Sequence, residues 1–404
     1  MTWRTNRRNH TFADFLSQCL PSSIRAFREE GAAVFSSPSP GPILLKFDDS
    51  VVSIPRDRRL RKVYLETSSR CNLDCPMCFL KGSPEARGDM APALLEDLPA
   101  QWKAFPDLEW VHFAGIGEPL VHPGVFEAMA RAAGMGLKVR LTTNGTLVDA
   151  AAARFLVKVP VRIVDFSLEA DVEDLPGRGT RAGTVLQAMR VLKAAREEEG
   201  KTFPEIRAAI VLTSSNLGGV TALPPVLAQA GARGISLSNI LPASREMAPS
   251  ALYPVSLEEE AALHAKLFLA FQREGLNVSL PRFALSSERH CAFSRSDAAV
   301  IRWDGHVSPC YRLAHGYEEW VLGRKKQVCA HSFGSLADEP LERIWDSPAY
   351  ASFRWRLRRA LYASCLDCNL LPVCEYPKTT ESDCWGDSPA CSDCLWDRNL
   401  VRCP

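Results

Sequence analysis

Short apolar runs alternate with helix-like segments through the middle of the chain. Runs of strand length occupy six places: residues 62–66, 109–115, 137–145, 161–169, 206–213 and 234–239. Residues 125–135 and 183–199, which lie between them, repeat their apolar positions at helical spacing. Strands and helices that alternate in this way form βαβ units with a parallel sheet. We therefore predict an α/β fold, in which six units suit a full or partial barrel as well as a doubly wound sheet.

The pattern differs on both sides of this central region. Residues 43–54 predict two strands joined by an Asp-Asp turn, and residues 11–20 predict a short helix. After Cys291 the regular pattern gives way to short elements, loops and cysteines. We expect three parts: an N-terminal extension at 1–60, an α/β domain at 61–282 and a cysteine-rich domain at 283–404.

The composition is that of an ordinary globular protein. Of the 404 residues, 46% are apolar and 24% are charged, which excludes a largely disordered chain. Lysine and arginine number 48 against 47 acidic residues, so no net charge draws the chain toward nucleic acid or anionic lipid. No stretch reaches the ~20 apolar residues that span a bilayer, and the basic N-terminus is not followed by a secretory apolar segment. We expect a cytoplasmic protein with no nucleic-acid or membrane partner.

Cysteine is unusually frequent near the carboxyl end. Seven of the 14 cysteines lie within the last 40 residues: Cys365, Cys368, Cys374, Cys384, Cys391, Cys394 and Cys403. In a reducing compartment, thiolates bind metals more often than they form disulfides. Iron–sulfur clusters or zinc are therefore the first expectation for these residues.

Three further cysteines stand on the loop after the first strand of the central region. Cys71, Cys75 and Cys78 follow a C-x3-C-x2-C spacing. Three thiolates do not complete a structural zinc site, which takes four ligands, unless a fourth comes from elsewhere in the chain. They are able to hold three irons of a 4Fe–4S cubane and to leave the fourth iron open for an amino-carboxylate ligand.

This spacing, at this place in the chain, resembles the radical S-adenosylmethionine (SAM) superfamily. The resemblance implies that the three cysteines hold the cluster and that the methionine part of SAM completes it. It also implies a core built as a partial (βα)6 barrel of the TIM type. One departure is Met77, where that family often has an aromatic residue before the last cysteine.

Motifs at the ends of the following strands strengthen the resemblance. A Gly-rich turn similar to the family's GGEP motif follows the second strand, and in the family this turn receives the amino group of SAM. A TNG turn follows the third strand, an S-L-E segment similar to the family's S-L-D ends the fourth, and an Arg-Gly dipeptide comes next. The resemblance assigns the cofactor contacts to Gly115, Gly117, Glu118, Asn144, Ser167, Glu169 and Arg178. Arg181 competes with Arg178 for the pairing with the SAM carboxylate.

Cysteine spacings in the tail resemble the SPASM extension of radical enzymes, which holds two auxiliary 4Fe–4S clusters. The candidates for the eight ligand positions are nine cysteines: Cys291, Cys310, Cys365, Cys368, Cys374, Cys384, Cys391, Cys394 and Cys403. One of them is therefore redundant, or one cluster is built differently. The alternative is a zinc ribbon, in which Cys365 and Cys368 join Cys391 and Cys394 in a C-x2-C…C-x2-C arrangement.

Together these features predict a radical SAM enzyme. Short stretches within 237–253 and 383–404 resemble the maturases associated with tungsten-containing aldehyde oxidoreductases, which implies a pterin cofactor or the oxidoreductase itself as substrate. The alternatives are a peptide-modifying SPASM enzyme that forms crosslinks and a non-catalytic, zinc-stabilised adaptor. The chemistry implies a low-potential electron donor such as a ferredoxin or flavodoxin. Candidates for a residue that acts on the substrate radical, chosen by residue type alone, are Asp165, Tyr253, Tyr311, His306 and His315.

Overall fold

The computed structural model of the protein describes residues 34–35, 41–47, 50–56, 59–78, 82–169 and 181–402. The strands within these ranges are β1 (Val34–Phe35), β2 (Ile43–Phe47), β3 (Ser50–Ile54), β4 (Lys62–Leu65), β5 (Trp110–Phe113), β6 (Lys138–Thr143), β7 (Ile163–Leu168), β8 (Glu205–Leu212), β9 (Ala232–Asn239), β10 (Asn277–Ser279), β11 (Ala298–Ile301), β12 (Val307–Ser308), β13 (Tyr317–Val321) and β14 (Arg324–Val328). The helices are α1 (Pro92–Trp102), α2 (Val125–Gly134), α3 (Ala150–Lys158), α4 (Arg181–Glu198), α5 (Leu217–Val220), α6 (Pro224–Gln229), α7 (Leu257–Gln272), α8 (Ala292–Arg295), α9 (Tyr311–Ala314), α10 (Leu341–Trp345) and α11 (Pro348–Arg358). The helix expected at 11–20 lies outside the described residues.

The central sheet has nine strands, and seven of them, β4 to β10, lie side by side in the order in which they occur in the chain. Strands β4 to β9 are each parallel to the next, beginning with Lys62 opposite Trp110. A doubly wound sheet reverses its strand order in the middle, whereas successive right-handed βαβ units without reversal build a barrel. Strand β10 extends the β9 edge and β11 pairs with β4, so the described sheet remains open. The expected α/β fold with a partial (βα)6 barrel is confirmed.

Alternation along the strands separates a packed face from an inner face. Along β8, every second residue from Ile206 to Leu212 is buried in the main hydrophobic core. The residues between them, Arg207, Ala209 and Val211, are half-buried and occupy the opposite face. The inner face therefore carries the polar and small side chains from which a site can be built.

Local sequence signals begin several of the helices that cover the barrel. The Asp149 side chain accepts a hydrogen bond from the N–H of Ala152 at 2.8 Å and caps α3. Ser256 and Glu259 form a reciprocal capping box at the start of α7. No helix among the described residues is both long and apolar enough to cross a membrane.

The cysteine-rich region packs against the barrel. Strand β11 belongs to this region but joins the barrel sheet beside β4, and the Leu341 N–H donates to Oε1 of Gln101 on α1 at 2.9 Å. At the other end, the predicted hairpin is present, because β2 and β3 pair antiparallel with Ile43 opposite Ile54. Its buried side chains pack on Ala351 of α11. The boundaries 1–60, 61–282 and 283–404 remain a prediction.

Candidate active site and cluster-binding cysteines

A cavity of about 370 Å³ opens at the carboxyl ends of the barrel strands. The strand ends and the loops that follow them contribute six of the residues selected from the sequence: Cys75, Cys78, Gly115, Asn144, Ser167 and Glu169. In parallel barrels this end of the sheet carries the chemistry, because several loops converge there. The structure thus brings together motifs from four successive strands.

The cysteine loop is held against the loop after β6. The N–H of Leu73 points to Sγ of Cys71 at 3.4 Å, and that of Cys78 donates to the carbonyl of Cys75 at 3.1 Å. Asn144 Nδ2 lies 3.8 Å from the same Cys71 sulfur and donates to Oδ1 of Asn72 at 2.9 Å. All three cysteines are half-buried rather than enclosed. Cys75 and Cys78 line one end of the cavity and Cys71 lies on the same loop, so the loop offers three thiols, a donor set that fits a cubane with one open iron.

Glu118 joins two of the cofactor-motif turns instead of lining the cavity. Its buried carboxylate accepts hydrogen bonds from Thr143 Oγ1 at 2.8 Å, the Asn144 N–H at 2.7 Å and the Leu120 N–H at 3.1 Å. Burial raises the pKa of Glu118, although these three hydrogen bonds act in the opposite direction. Its visible role is to fix the turn after β5 against the turn after β6.

The turn after β5 also rests on a buried pair that involves the tail. Glu66 Oε2 accepts a hydrogen bond from the Ile116 N–H at 3.1 Å, and a Cβ at Gly115 would lie 2.6 Å from Glu66 Cγ. His315, which follows α9, places Nε2 at 3.0 Å from Glu66 Oε1 and Nδ1 at 2.8 Å from Glu85 Oε2. The cysteine-rich region therefore supports a glycine turn of the cavity through one imidazole.

The protonation of His315 makes a testable contribution to stability. Burial by itself lowers the pKa of His315, but the hydrogen bonds that His315 donates to Glu66 and Glu85 outweigh both burial and the nearby Arg302 and raise it to about 9. Because this pKa exceeds the ordinary value of 6.5, protonation of His315 stabilises the folded protein. The stabilisation is fully present below about pH 6.5 and is lost as the pH rises through about 9. Over that window, the free energy of unfolding should fall by about 3 kcal/mol more in the natural protein than in His315→Gln. Denaturant titrations at a series of pH values measure this, and parallel profiles would contradict it.

The residues chosen by type for the substrate radical are mostly engaged elsewhere. Tyr311 lines the cavity. Asp165 is held in a bidentate pair by Arg140, with distances of 2.6 and 2.8 Å, and the Tyr253 hydroxyl donates to the carbonyl of Ile240 at 3.0 Å. Within the described residues, Asp165, Tyr253, His306 and His315 are not among those that line the cavity.

Several cavity residues were not identified from the sequence. His112 on β5 is fully buried, and its Nε2 lies 2.8 Å from Thr142 Oγ1. Burial, followed by the charges of Arg140 and Lys62, lowers the pKa of His112 well below its ordinary value, so this imidazole is neutral. Side chains alternate between the two faces of β5, and Ala114, two residues after His112, also lines the cavity. This alternation is the sequence signal that places His112 on the cavity side. The tail adds Tyr317, Trp396 and Arg402, for which no local pattern exists.

The tail cysteines fall into two groups of four. Cys291, Cys310, Cys391 and Cys394 line one small cavity of about 30 Å³. The second group consists of Cys365, Cys368, Cys374 and Cys384; Cys384 interacts electrostatically with Cys374 and Cys368, and Cys365 with Cys384. This division separates Cys365 and Cys368 from Cys391 and Cys394, the four residues of the zinc-ribbon alternative. Cys403 and Arg178 lie outside the described residues.

Burial makes these thiols poor acids in the absence of metal. It raises the pKa of Cys291 and Cys394 to about 12, and that of Cys384 to about 11. A metal centre that binds such thiols as thiolates displaces their protons. Among the described side chains, no three cysteine, histidine or carboxylate groups converge on a point that would hold a single metal ion. The larger, four-iron cubane is compatible with cysteines that share a cavity without converging on one point.

Known proteins match both regions of the chain. The family model of the radical SAM superfamily matches residues 65–211, and that of the SPASM iron–sulfur cluster-binding domain matches residues 291–369. The chain is 36% identical over 348 residues to the tungsten-containing aldehyde ferredoxin oxidoreductase cofactor-modifying protein of Pyrococcus furiosus, a match that covers 85% of this chain and 97% of that protein.

More distant proteins share parts of the sequence or the fold. The antilisterial bacteriocin subtilosin biosynthesis protein AlbA of Bacillus subtilis is 28% identical over 301 residues, which is 70% of this chain and 61% of that protein. The fold is similar to that of SuiB from Streptococcus suis bound to SAM, with a TM-score of 0.54 at 19% identity over 78% of this chain and 72% of SuiB. The chain belongs to the radical SAM superfamily and carries a SPASM domain, and it is therefore an enzyme whose cofactors are 4Fe–4S clusters and SAM.

Proposed function

We propose that this enzyme modifies the pterin cofactor of a tungsten-containing oxidoreductase, or the oxidoreductase that carries it. The observation that supports this most is the 36% identity with the P. furiosus cofactor-modifying protein, which extends over barrel and tail alike. The cavity is compatible with such a substrate, because Tyr311, Tyr317 and Trp396 provide aromatic surface for a flat conjugated ring.

The loop after β4 would hold the SAM-binding cluster through Cys71, Cys75 and Cys78. Bound there and reduced, the cluster would supply one electron for the cleavage of SAM, and the radical chemistry would begin with the removal of a hydrogen atom from the substrate. Asn144 fixes the position of this loop through Cys71 and Asn72.

The neighbouring strand ends would bind the rest of SAM. Gly115 and Ile116 bring backbone close to the cavity, since Gly115 has no side chain to separate the turn from Glu66. Ser167 and Glu169 offer a hydroxyl and a carboxylate for the ribose. Arg178 keeps its proposed role as the partner of the SAM carboxylate, and Glu118 acts as a positioning residue between two turns.

The two groups of tail cysteines would hold the two auxiliary clusters. Eight cysteines in two sets of four supply the ligands of two fully ligated cubanes. The first set is Cys291, Cys310, Cys391 and Cys394, and the second is Cys365, Cys368, Cys374 and Cys384. Cys403 is then the ninth cysteine that neither cluster needs.

Replacing Gly117 by alanine should disrupt the turn that receives SAM. A Cβ at this position would collide with the backbone carbonyl oxygens of Ser68 and Arg70, which lead into the cysteine loop. We expect SAM cleavage to slow by about a hundredfold, because displacements of about 1 Å have effects of this size. Gly218→Ala is the matched control, since a Cβ there meets nothing within 4 Å. Equal rates of 5′-deoxyadenosine release in both variants would contradict the assignment.

Iron content and SAM turnover test the cofactor assignment. Protein purified without oxygen should be brown and contain about twelve irons, four for each of three cubanes. After reduction it should release 5′-deoxyadenosine from SAM. A colourless protein that contains only zinc would leave the adaptor alternative in place.

A peptide substrate is the second candidate, and the identity with the subtilosin biosynthesis protein favours it. The two functions differ in what stimulates SAM turnover. Reduced enzyme is mixed with SAM and either the cofactor-loaded oxidoreductase or a short cysteine-containing peptide encoded nearby. We expect faster 5′-deoxyadenosine release and a mass change with the oxidoreductase or its cofactor. Peptide crosslinking, seen as a mass loss, would instead establish the peptide function.

Reductive cleavage of SAM needs a source of single electrons, and cysteines kept as thiols are typical of a reducing compartment. We propose a ferredoxin or flavodoxin as the low-potential donor and the cytoplasm as the compartment. Part of the basic run at 354–359 is used within the fold: the Arg354 guanidinium lies 3.6 Å from the Trp345 ring centroid, and Arg356 pairs with Asp387. These two arginines are therefore not the docking surface for an acidic donor.

A further inference from the structure

Arg402 is a cation in the cavity wall, and among the described residues it forms no ion pair with a carboxylate. It is half-buried; its backbone N–H donates to Ser238 Oγ at 2.9 Å and its Nη1 to the carbonyl of Leu280 at 2.6 Å. These contacts hold Arg402 beside β9 and β10. In the row of barrel strands, these lie at the opposite edge from β4, which leads into the cysteine loop. Burial, followed by the charge of Arg207, lowers the pKa of Arg402, and in the described part of the chain no acidic group acts to raise it.

Arg207, the neighbouring cation, is also poorly compensated. Its Nε lies 3.7 Å from Asp165 Oδ1 and 3.9 Å from Glu205 Oε1, distances that are too long for hydrogen bonds. This Nε is buried and has no hydrogen-bond partner among the described residues. Asp165 already accepts two short hydrogen bonds from Arg140. Asp165 is therefore shared between Arg140 and Arg207, Glu205 is the second carboxylate within ion-pair distance of Arg207, and one positive charge remains in excess among these groups and Arg402.

The fold makes room for this arrangement. A Cβ at Gly234 on β9 would come within 2.8 Å of Arg207 Nε, so the guanidinium occupies space that only glycine leaves free. A half-buried cation that a second cation repels raises the free energy of the folded protein unless an anion joins it. A guanidinium that faces a cavity offers paired N–H donors that match the oxygens of phosphate or carboxylate.

We propose that Arg402, supported by the charge of Arg207, binds a phosphate group of the substrate on the β9–β10 side of the cavity. The identification of this phosphate as that of a pterin cofactor rests on the proposed function, whereas the anion site itself does not. Such a contact would fix one end of the substrate and leave the other directed toward the strand ends assigned to SAM. This contact would favour a free cofactor that bears a phosphate over a neutral peptide segment as the ligand.

Calorimetric titration of the cluster-loaded protein, without reductant or SAM, tests this site directly. The probes are neopterin monophosphate, pterin-6-carboxylate, neopterin and inorganic phosphate. We expect the monophosphate to bind at least about tenfold more tightly than neopterin, an advantage typical of a charged, forked contact. Arg402→Gln should abolish this preference, Arg402→Lys should retain part of it, and Arg190→Gln, at an exposed arginine of α4, should leave it unchanged.

Each result has one meaning. The anion site is wrong if the natural protein does not distinguish neopterin from its phosphate and does not bind inorganic phosphate, or if Arg402→Gln keeps the preference while retaining its iron. If the carboxylate binds tightly and the monophosphate does not, the phosphate assignment is wrong. If inorganic phosphate binds in an Arg402-dependent way but no pterin does, the anion site stands and the pterin substrate does not. If Arg402→Lys retains part of the phosphate preference, the loss of that preference in Arg402→Gln is due to the missing charge and not to a folding defect.

Discussion

Simultaneous replacement of Cys71, Cys75 and Cys78 by alanine is expected to abolish SAM cleavage and leave the tail clusters intact. Cys75 and Cys78 line one end of the cavity and Cys71 belongs to the same loop, while the two groups of tail cysteines lie in separate surroundings. Iron should fall from about twelve to about eight per protein, because one cubane of three is lost. Measurement of 5′-deoxyadenosine and of iron on the same sample separates loss of one cluster from general unfolding.

Cys329→Ala provides the control for this experiment. Cys329 is also a half-buried free cysteine, but it belongs to neither group of tail cysteines nor to the loop after β4. Its replacement should preserve both iron content and turnover. Persistent cleavage of SAM by the triple variant would show that the open cluster is held elsewhere.

Replacing Lys326 by methionine is expected to lower the free energy of unfolding by about 3–5 kcal/mol, the usual effect of breaking a buried ion pair. Lys326 Nζ lies 2.8 Å from both carboxylate oxygens of Asp393, and both side chains are 1% exposed. Arg312, also buried, bonds to Asp393 and to Glu319. Without Lys326, one guanidinium would have to balance two buried carboxylates.

The neighbouring lysine gives a matched comparison. Lys325 forms an ion pair with Glu318, but its side chain is 55% exposed, so Lys325→Met should change stability by less than about 1 kcal/mol. Anaerobic denaturant unfolding measures both variants. Because Asp393 lies between Cys391 and Cys394, the Lys326 variant should also lose iron from the first tail group more readily. Equal stability of the two variants would contradict a structural role for the buried network.

Features with short-range signals were predictable from the sequence. The six central strands appear where the apolar runs lie, because each run is long enough to cross a sheet and is followed by a turn. Strand order was not predictable in this way, since periodicity is a property of single elements and order depends on how they pack. The sequential pairing of β4 to β9 in the structure distinguishes the barrel from the doubly wound sheet.

The site shows the same division between local and distant information. Cys75, Gly115 and Asn144 were found because each belongs to a short motif at a strand end, and all three line the cavity. Trp396 and Arg402 reach the cavity only through packing of the tail across the barrel, and nothing in their immediate sequence indicates this. Glu118 was recognised by its motif, but its side chain is turned toward Thr143 and Asn144 by hydrogen bonds that the motif does not specify.

The tail residues Tyr311, Tyr317, Trp396 and Arg402 form part of the wall around the reaction chamber. The strand ends assigned to SAM lie in a different stretch of polypeptide. Under the proposed function, a change of substrate therefore requires no change in the residues that would bind the cluster and SAM. We expect substitutions within residues 291–402 to be able to change the specificity, and an exchange of this tail between related enzymes to transfer part of the recognition surface with it.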